Sequence, residues 1–127
     1  MSYRTYIAGR LDIEPPIPWG DIADSEFLPY DPDEVLARCI EFEIEERDKV
    51  AVAILSVDPH RQLIAHGLLK EIQRIIDRHG DGRTFAGVLW CRGNEPHDLW
   101  QLRIVDGKAV RVDPWWPPMP ASQKGFQ

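Results

Sequence analysis

The chain has 127 residues, 43% hydrophobic and 28% charged, with 21 acidic against 15 basic side chains and a formal charge of −6. That length suits one domain burying roughly two thirds of its unfolded surface around a single core, and the composition is that of an ordinary globular protein. The acidic balance argues against nucleic acid as a partner, because polyanions are held by clustered Lys and Arg.

The longest apolar run, VAVAILSV at 50–57, is far short of the roughly 20 residues a membrane-spanning helix needs. MSYRTYIAGRLDIE at the start holds no continuous apolar h-region. No membrane and a cytoplasmic location are therefore expected. Cys39 and Cys91 stand far apart without CxxC spacing and read as reduced thiols.

In chain order, TYIAGRLDIE (5–14) alternates as a strand, with Ile7, Gly9, Leu11 and Ile13 on one face. The five prolines of PPIPWGDIADSEFLPYDPD (15–33) exclude a strand interior and leave room for a short helix at WGDIADS before an ordered loop. Asp31 as N-cap, followed by Pro32, Asp33 and Glu34, opens a helical turn. A helix carried on to residue 46 would set Glu43 and Glu46 in the apolar stripe of Val35, Leu36, Cys39 and Ile40. The turn is therefore expected to end near Arg38 and give way to a strand with Ile40, Phe42 and Ile44 opposite Glu41, Glu43 and Glu45.

VAVAILSV then reads as a central strand buried on both faces. A three-residue loop, 46–48, would join the two strands and set Ile44 beside Val50, Phe42 beside Val52 and Ile40 beside Ile54. Asp58 and Pro59 repeat the cap signature, and Leu63, Ile64, Leu68, Ile72, Ile75, Ile76 and His79 keep a helical period up to Gly80. The expectation is one long helix over 59–79 with Arg61, Lys70, Gln73, Arg74, Asp77 and Arg78 on its wet side. GDGR (80–83) is the stop of that helix, since phosphate loops precede a helix where this one follows.

RTFAGVLWCRG (83–93) is a strand, and LWQLRIVDGKAVRV (99–112) a hairpin. A two-residue Asp-Gly turn would put Leu102 beside Arg111, so face parity selects a three-residue loop, Val105 to Gly107, pairing Ile104 with Lys108, Leu102 with Val110 and Trp100 with Val112. Prolines in PWWPPMPASQKGFQ (114–127) end the sheet near Asp113. The fold expected is a single α+β domain over 1–119, an antiparallel sheet of about five or six strands with the 59–79 helix packed on one face, followed by a disordered tail at 120–127.

Residues fit for chemistry are sparse. His60, His66, His79 and His97 form no HxxxH or HExxH pair and neither cysteine completes a zinc signature, so no metal and no cofactor is expected. His66 and His79 read as packing or surface residues. His97 beside Asp98 lies in a polar loop between strands, but without a nearby nucleophile the pair specifies no reaction. No GxSxG or triad context surrounds any serine. Glu41, Glu43 and Glu45 spread three carboxylates over about 13 Å, where duplex DNA would carry roughly eight charges at one per ~1.7 Å, too sparse for a nucleic-acid mimic. Trp115 and Trp116 point to opposite sides in extended backbone, one to close the core and one to remain partly exposed. The candidate binding residues are thus His97, Asp98, Trp100, Trp115 and Trp116, with no catalytic residue.

YxTYIxGxLxIEPPIPW near the start, RIIDRHGDGRTFxG in the middle and DLWQLRIVDGKAVRVDPWWP at the end together resemble a family of small uncharacterised proteins from actinobacteria and their phages, classed as a domain of unknown function. The resemblance runs from Tyr3 to Pro117. It supports a strand over 39–46 and implies no activity, cofactor or catalytic residue. The function expected is a non-enzymatic protein-binding or regulatory module, encoded by a phage or mobile element and acting on a host protein. The alternatives are a small hydrolase or transferase using the His97–Asp98 loop, and an acidic inhibitor or immunity protein using the Glu41 to Glu45 ribbon. Oligomeric state is not legible at this level.

Overall fold

The structure, a computed structural model, describes residues 4–29, 38–95 and 98–113. Seven strands and two short helices run in the order β1 (Arg4–Pro18), α1 (Trp19–Ile22), β2 (Ile40–Glu45), β3 (Val50–Ser56), β4 (Leu63–Ile64), α2 (Leu68–His79), β5 (Thr84–Arg92), β6 (Leu99–Val105) and β7 (Lys108–Val112). Six strands form an antiparallel path β2-β3-β1-β5-β6-β7, and β4 pairs with the start of β1. Alternation decides which side is dry: Ile7, Leu11 and Ile13 of β1, Leu89 and Cys91 of β5, and Trp100 and Leu102 of β6 face one way. Ile22 of α1 and Leu68, Ile72, Ile75 and Ile76 of α2 complete the same core, so both helices lie on one face of the sheet.

The long helix expected over 59–79 is not there. Asp58 does act as a local cap, its Oδ1 accepting the His60 amide at 2.9 Å, but it closes only a turn. Leu63 and Ile64 then pair with Thr5 and Arg4 as a strand, Gly67 turns left-handed at φ 83°, and helix begins at Leu68. A helix through this region would have carried Gly67 in its interior and left Ile64, which is 51% exposed, on its apolar stripe. From Leu68 to His79 the expected stripe is buried, and the helix stops at Gly80, whose amide reaches the Ile76 carbonyl at 2.7 Å.

Prolines did not end β1 either. The strand runs on through Pro15 and Pro16 to Pro18, but its ladder with β3 shifts between Asp12 and Ile17, so Pro15 and Pro16 sit where that pairing is interrupted and Pro18 pairs with Val50 at the strand end. Gly9 of β1 and Gly87 of β5 take φ of +96° and +123°, and a Cβ on either would run into a carbonyl oxygen of the facing strand, that of Val88 or of Arg10. The two central strands cross too closely there for any side chain.

Both hairpins exist with registers other than expected. Four residues, Glu46 to Lys49, join β2 to β3 between the Glu45 and Val50 pair, with Lys49 left-handed at φ 53°. A shift between Glu43 and Ile44 then sets Phe42 opposite Ile54 and Ile40 opposite Ser56. β3 lies one strand in from the edge, with Ala51, Ala53 and Ile54 buried and Val52 and Leu55 half-buried. In the last hairpin Val105 faces Lys108 and Leu102 faces Arg111 across a two-residue turn, which overturns the three-residue loop. Asp106 and Gly107 both hold positive φ, 51° and 76°, the backbone a type I′ turn requires and Asp-Gly supplies.

Both ends of the strand order are bonded in part by their own chain. On β7 the Gln73 side chain of α2 accepts the Ala109 amide at 2.8 Å and donates to the Gly107 carbonyl at 3.1 Å. At β2 the Phe42 amide donates to the Phe27 carbonyl at 2.8 Å. The helical turn expected near 31–38 falls almost wholly, and the tail beyond 120 wholly, outside the described residues.

Candidate functional site

Of the five residues singled out by sequence, Asp98 and Trp100 are described, while His97, Trp115 and Trp116 lie outside the described residues. Asp98 closes the turn between β5 and β6: its amide donates to the Glu95 carbonyl at 2.9 Å and its carbonyl accepts the Gly93 amide at 2.7 Å. The Asp98 carboxylate folds over Gly93, where any Cβ would meet it. Trp100 is only 4% exposed and belongs to the core on the helix side, with the Arg111 guanidinium 4.6 Å from the centre of its ring. Trp100 thus closes the core, and the exposed part of the stack is the cation. Beside it a groove of about 580 Å³ runs between the turn before α2 and the β6–β7 hairpin, with His66, Lys70, Trp100 and Arg111 on its walls.

Among the described residues, no helix covers the other face of the sheet. Ladder pairing aligns one row of side chains there as Ala8, Trp90, Gln101 and Val112. The next row is Arg10, Val88, Arg103 and Val110, and beyond Trp90 on the opposite side lie Tyr6, Arg92 and Leu99. Trp90 is 41% and Val112 37% exposed. Around them the polar groups are held in place: Arg103 Nε donates to Gln101 Oε1 at 2.6 Å, and Arg92 stacks 4.7 Å from the Tyr6 ring centre. Arg10 donates to Asp12 at 2.7 Å and to Glu43 at 2.8 Å. An exposed indole, aliphatic neighbours and arginines held by their own contacts therefore share this face.

Trp90 was missed by sequence reading although a signal existed. It stands between Leu89 and Cys91, both buried, so period-two alternation alone turns its indole away from the core.

The acidic ribbon is engaged within the molecule. Glu43 is paired with Arg10, and Glu45 accepts the amides of Arg47 and Asp48 at 2.7 and 3.0 Å, capping the β2–β3 turn. Glu41 is pushed up from its ordinary range by burial and pulled back by Arg38. Cys39 and Cys91 are free buried thiols, each pushed up by burial to about 12, which leaves them protonated at neutral pH. His79 packs edge-on to Phe42, its ring centre 6.2 Å away, and burial followed by Arg78 and Arg83 holds its imidazolium form down. Among the described residues no group of three or more His, Cys, Asp or Glu could hold a metal ion, and no helix is long and apolar enough to cross a membrane.

No curated protein and no solved structure matches the chain. A family model does, across residues 1–124, a range that takes in all seven described strands and both helices, and the chain accordingly belongs to the family of unknown function DUF6205.

Proposed function

We propose that this chain is a non-enzymatic protein-binding module that uses the face of its sheet opposite α1 and α2 as the contact surface. The observation that carries the reading is Trp90, 41% exposed in the row with Val112 while strands on both sides hold its backbone. A large side chain on a fixed backbone loses little freedom when a partner covers it, which is how a few residues come to dominate an interface. Gln101 beneath it and Arg103, Arg92 and Tyr6 around it supply polar groups already oriented by their own contacts. The Asp98 turn contributes less to this reading than expected, since it sits at the end of the strands rather than within the row.

The test compares wild type with Trp90→Ser and with the pair His97→Ala and Asp98→Ala, reading partner affinity and Tm together. Trp90→Ser should weaken binding by roughly thirtyfold, the level of an interface hot spot near 2 kcal/mol, with Tm unchanged. The His97 and Asp98 change should leave biological activity in place. If that pair instead abolishes activity while partner binding and Tm hold, the loop acts chemically and the binding reading fails.

A further inference from the structure

We propose that the groove between the turn before α2 and the β6–β7 hairpin binds a small phosphate ester carrying a planar ring. Its volume of about 580 Å³ is within the range of small-ligand sites. His66, Lys70 and Arg111 line it together with Trp100, Leu68 and Leu69, and among the described residues its walls hold no carboxylate. In a chain carrying a formal charge of −6, two cationic side chains and an imidazole meet there, with Arg111 held at its Nε by Asp113.

Arg111 decides the ligand's shape. Its Nε donates to Asp113 at 3.0 Å, and the described residues offer no acceptor to its two terminal nitrogens. The guanidinium lies over the Trp100 ring at 4.6 Å, yet the side chain is 46% exposed, so a flat group can stack beside it. Donors from β7, from α2 and from the turn before it approach from separate elements, which suits the three free oxygens of a phosphate better than one planar carboxylate. Leu68 and Leu69 give the ring an apolar wall. The groove is on the helix side, away from Trp90, and stands independently of the protein-binding reading.

Titration of the full chain with AMP, with inorganic phosphate and with adenosine, followed by NMR at the Gly67, Leu69 and Lys70 amides and the Trp100 indole, separates the contributions. AMP should shift these signals with a Kd below about 1 mM, and inorganic phosphate and adenosine should each bind at least tenfold more weakly. Arg111→Gln and Lys70→Gln should each weaken AMP at least tenfold while the remaining spectrum stays that of the folded protein. Silence at these signals, or AMP binding that survives both substitutions, overturns the proposal. Adenosine matching AMP would refute the phosphate, and inorganic phosphate matching AMP would refute the ring.

Discussion

Glu71 sits uncomfortably for a carboxylate. It stands in the first turn of α2 with Oε1 buried and no hydrogen-bond partner among the described residues. Burial raises its pKa above 4.5, nearby Glu26 adds to the rise, and Arg74 and Arg38 oppose it. An acid whose folded pKa is raised binds its proton more tightly in the folded state, so protonation favours folding and stability falls as pH climbs from the unfolded value through the folded one. Glu71→Gln should therefore raise Tm at pH 7, and the gain should vanish as pH drops below about 4.5, where both chains are neutral at this position. Thermal melts at the two pH values check this, and an equal gain at both would show that charge is not the cause. Nothing in the sequence announces such a residue, because its burial depends on which turn of α2 meets the 23–29 segment. Trp90 and Trp100 are the opposite case: strand parity alone assigns one to each side.

Elements were legible where one face is dry and the other wet. β1, β2, β5 and the second half of the expected helix all follow that rule, while β3 was legible as a continuous apolar run. β7 does not, because it is the edge strand and its core-side position 111 is an arginine whose stem and plane cover Trp100. The faces of such a strand do not separate by polarity, so turn chemistry outranks parity, and Asp106-Gly107 sets the register. The start of α2 was misplaced for a related reason: a capping signature at Asp58 closes a turn as well as it opens a helix, and only pairing of Leu63 and Ile64 to β1 distinguishes them. At this scale the sharpest test is Gly87→Ala. Its positive φ and the carbonyl of Arg10 in the path of a Cβ should cost about 2 kcal/mol or more, lowering Tm by roughly 6 °C for a chain of this size. Ala86→Gly, one residue away on the exposed side, should cost less than half as much in the same melt. Equal losses would mean that the close crossing of β1 and β5 is not what demands glycine.

Over the whole molecule the two cysteines report on cooperativity. Both are buried in one core with their thiols held near 12, so alkylation at pH 8 requires the core to open. The folded chain should resist iodoacetamide and take up two equivalents in denaturant, with both sites labelling at one rate if the sheet and α2 open together. Mass spectrometry over time reads this directly, and faster modification of Cys39 alone would place a weaker unit around β2. The two termini of the strand order matter for a different reason. Exposed strand edges invite another chain to add on by backbone bonding, and here the Gln73 amide occupies one and the Phe27 carbonyl the other. Gln73→Ala should consequently introduce concentration-dependent association, visible by light scattering, that wild type lacks. A visitor approaching either outer strand meets backbone groups already bonded within the chain at Phe42 and Ala109, which turns recognition there toward shape and side-chain chemistry and away from the next strand of a growing fibre.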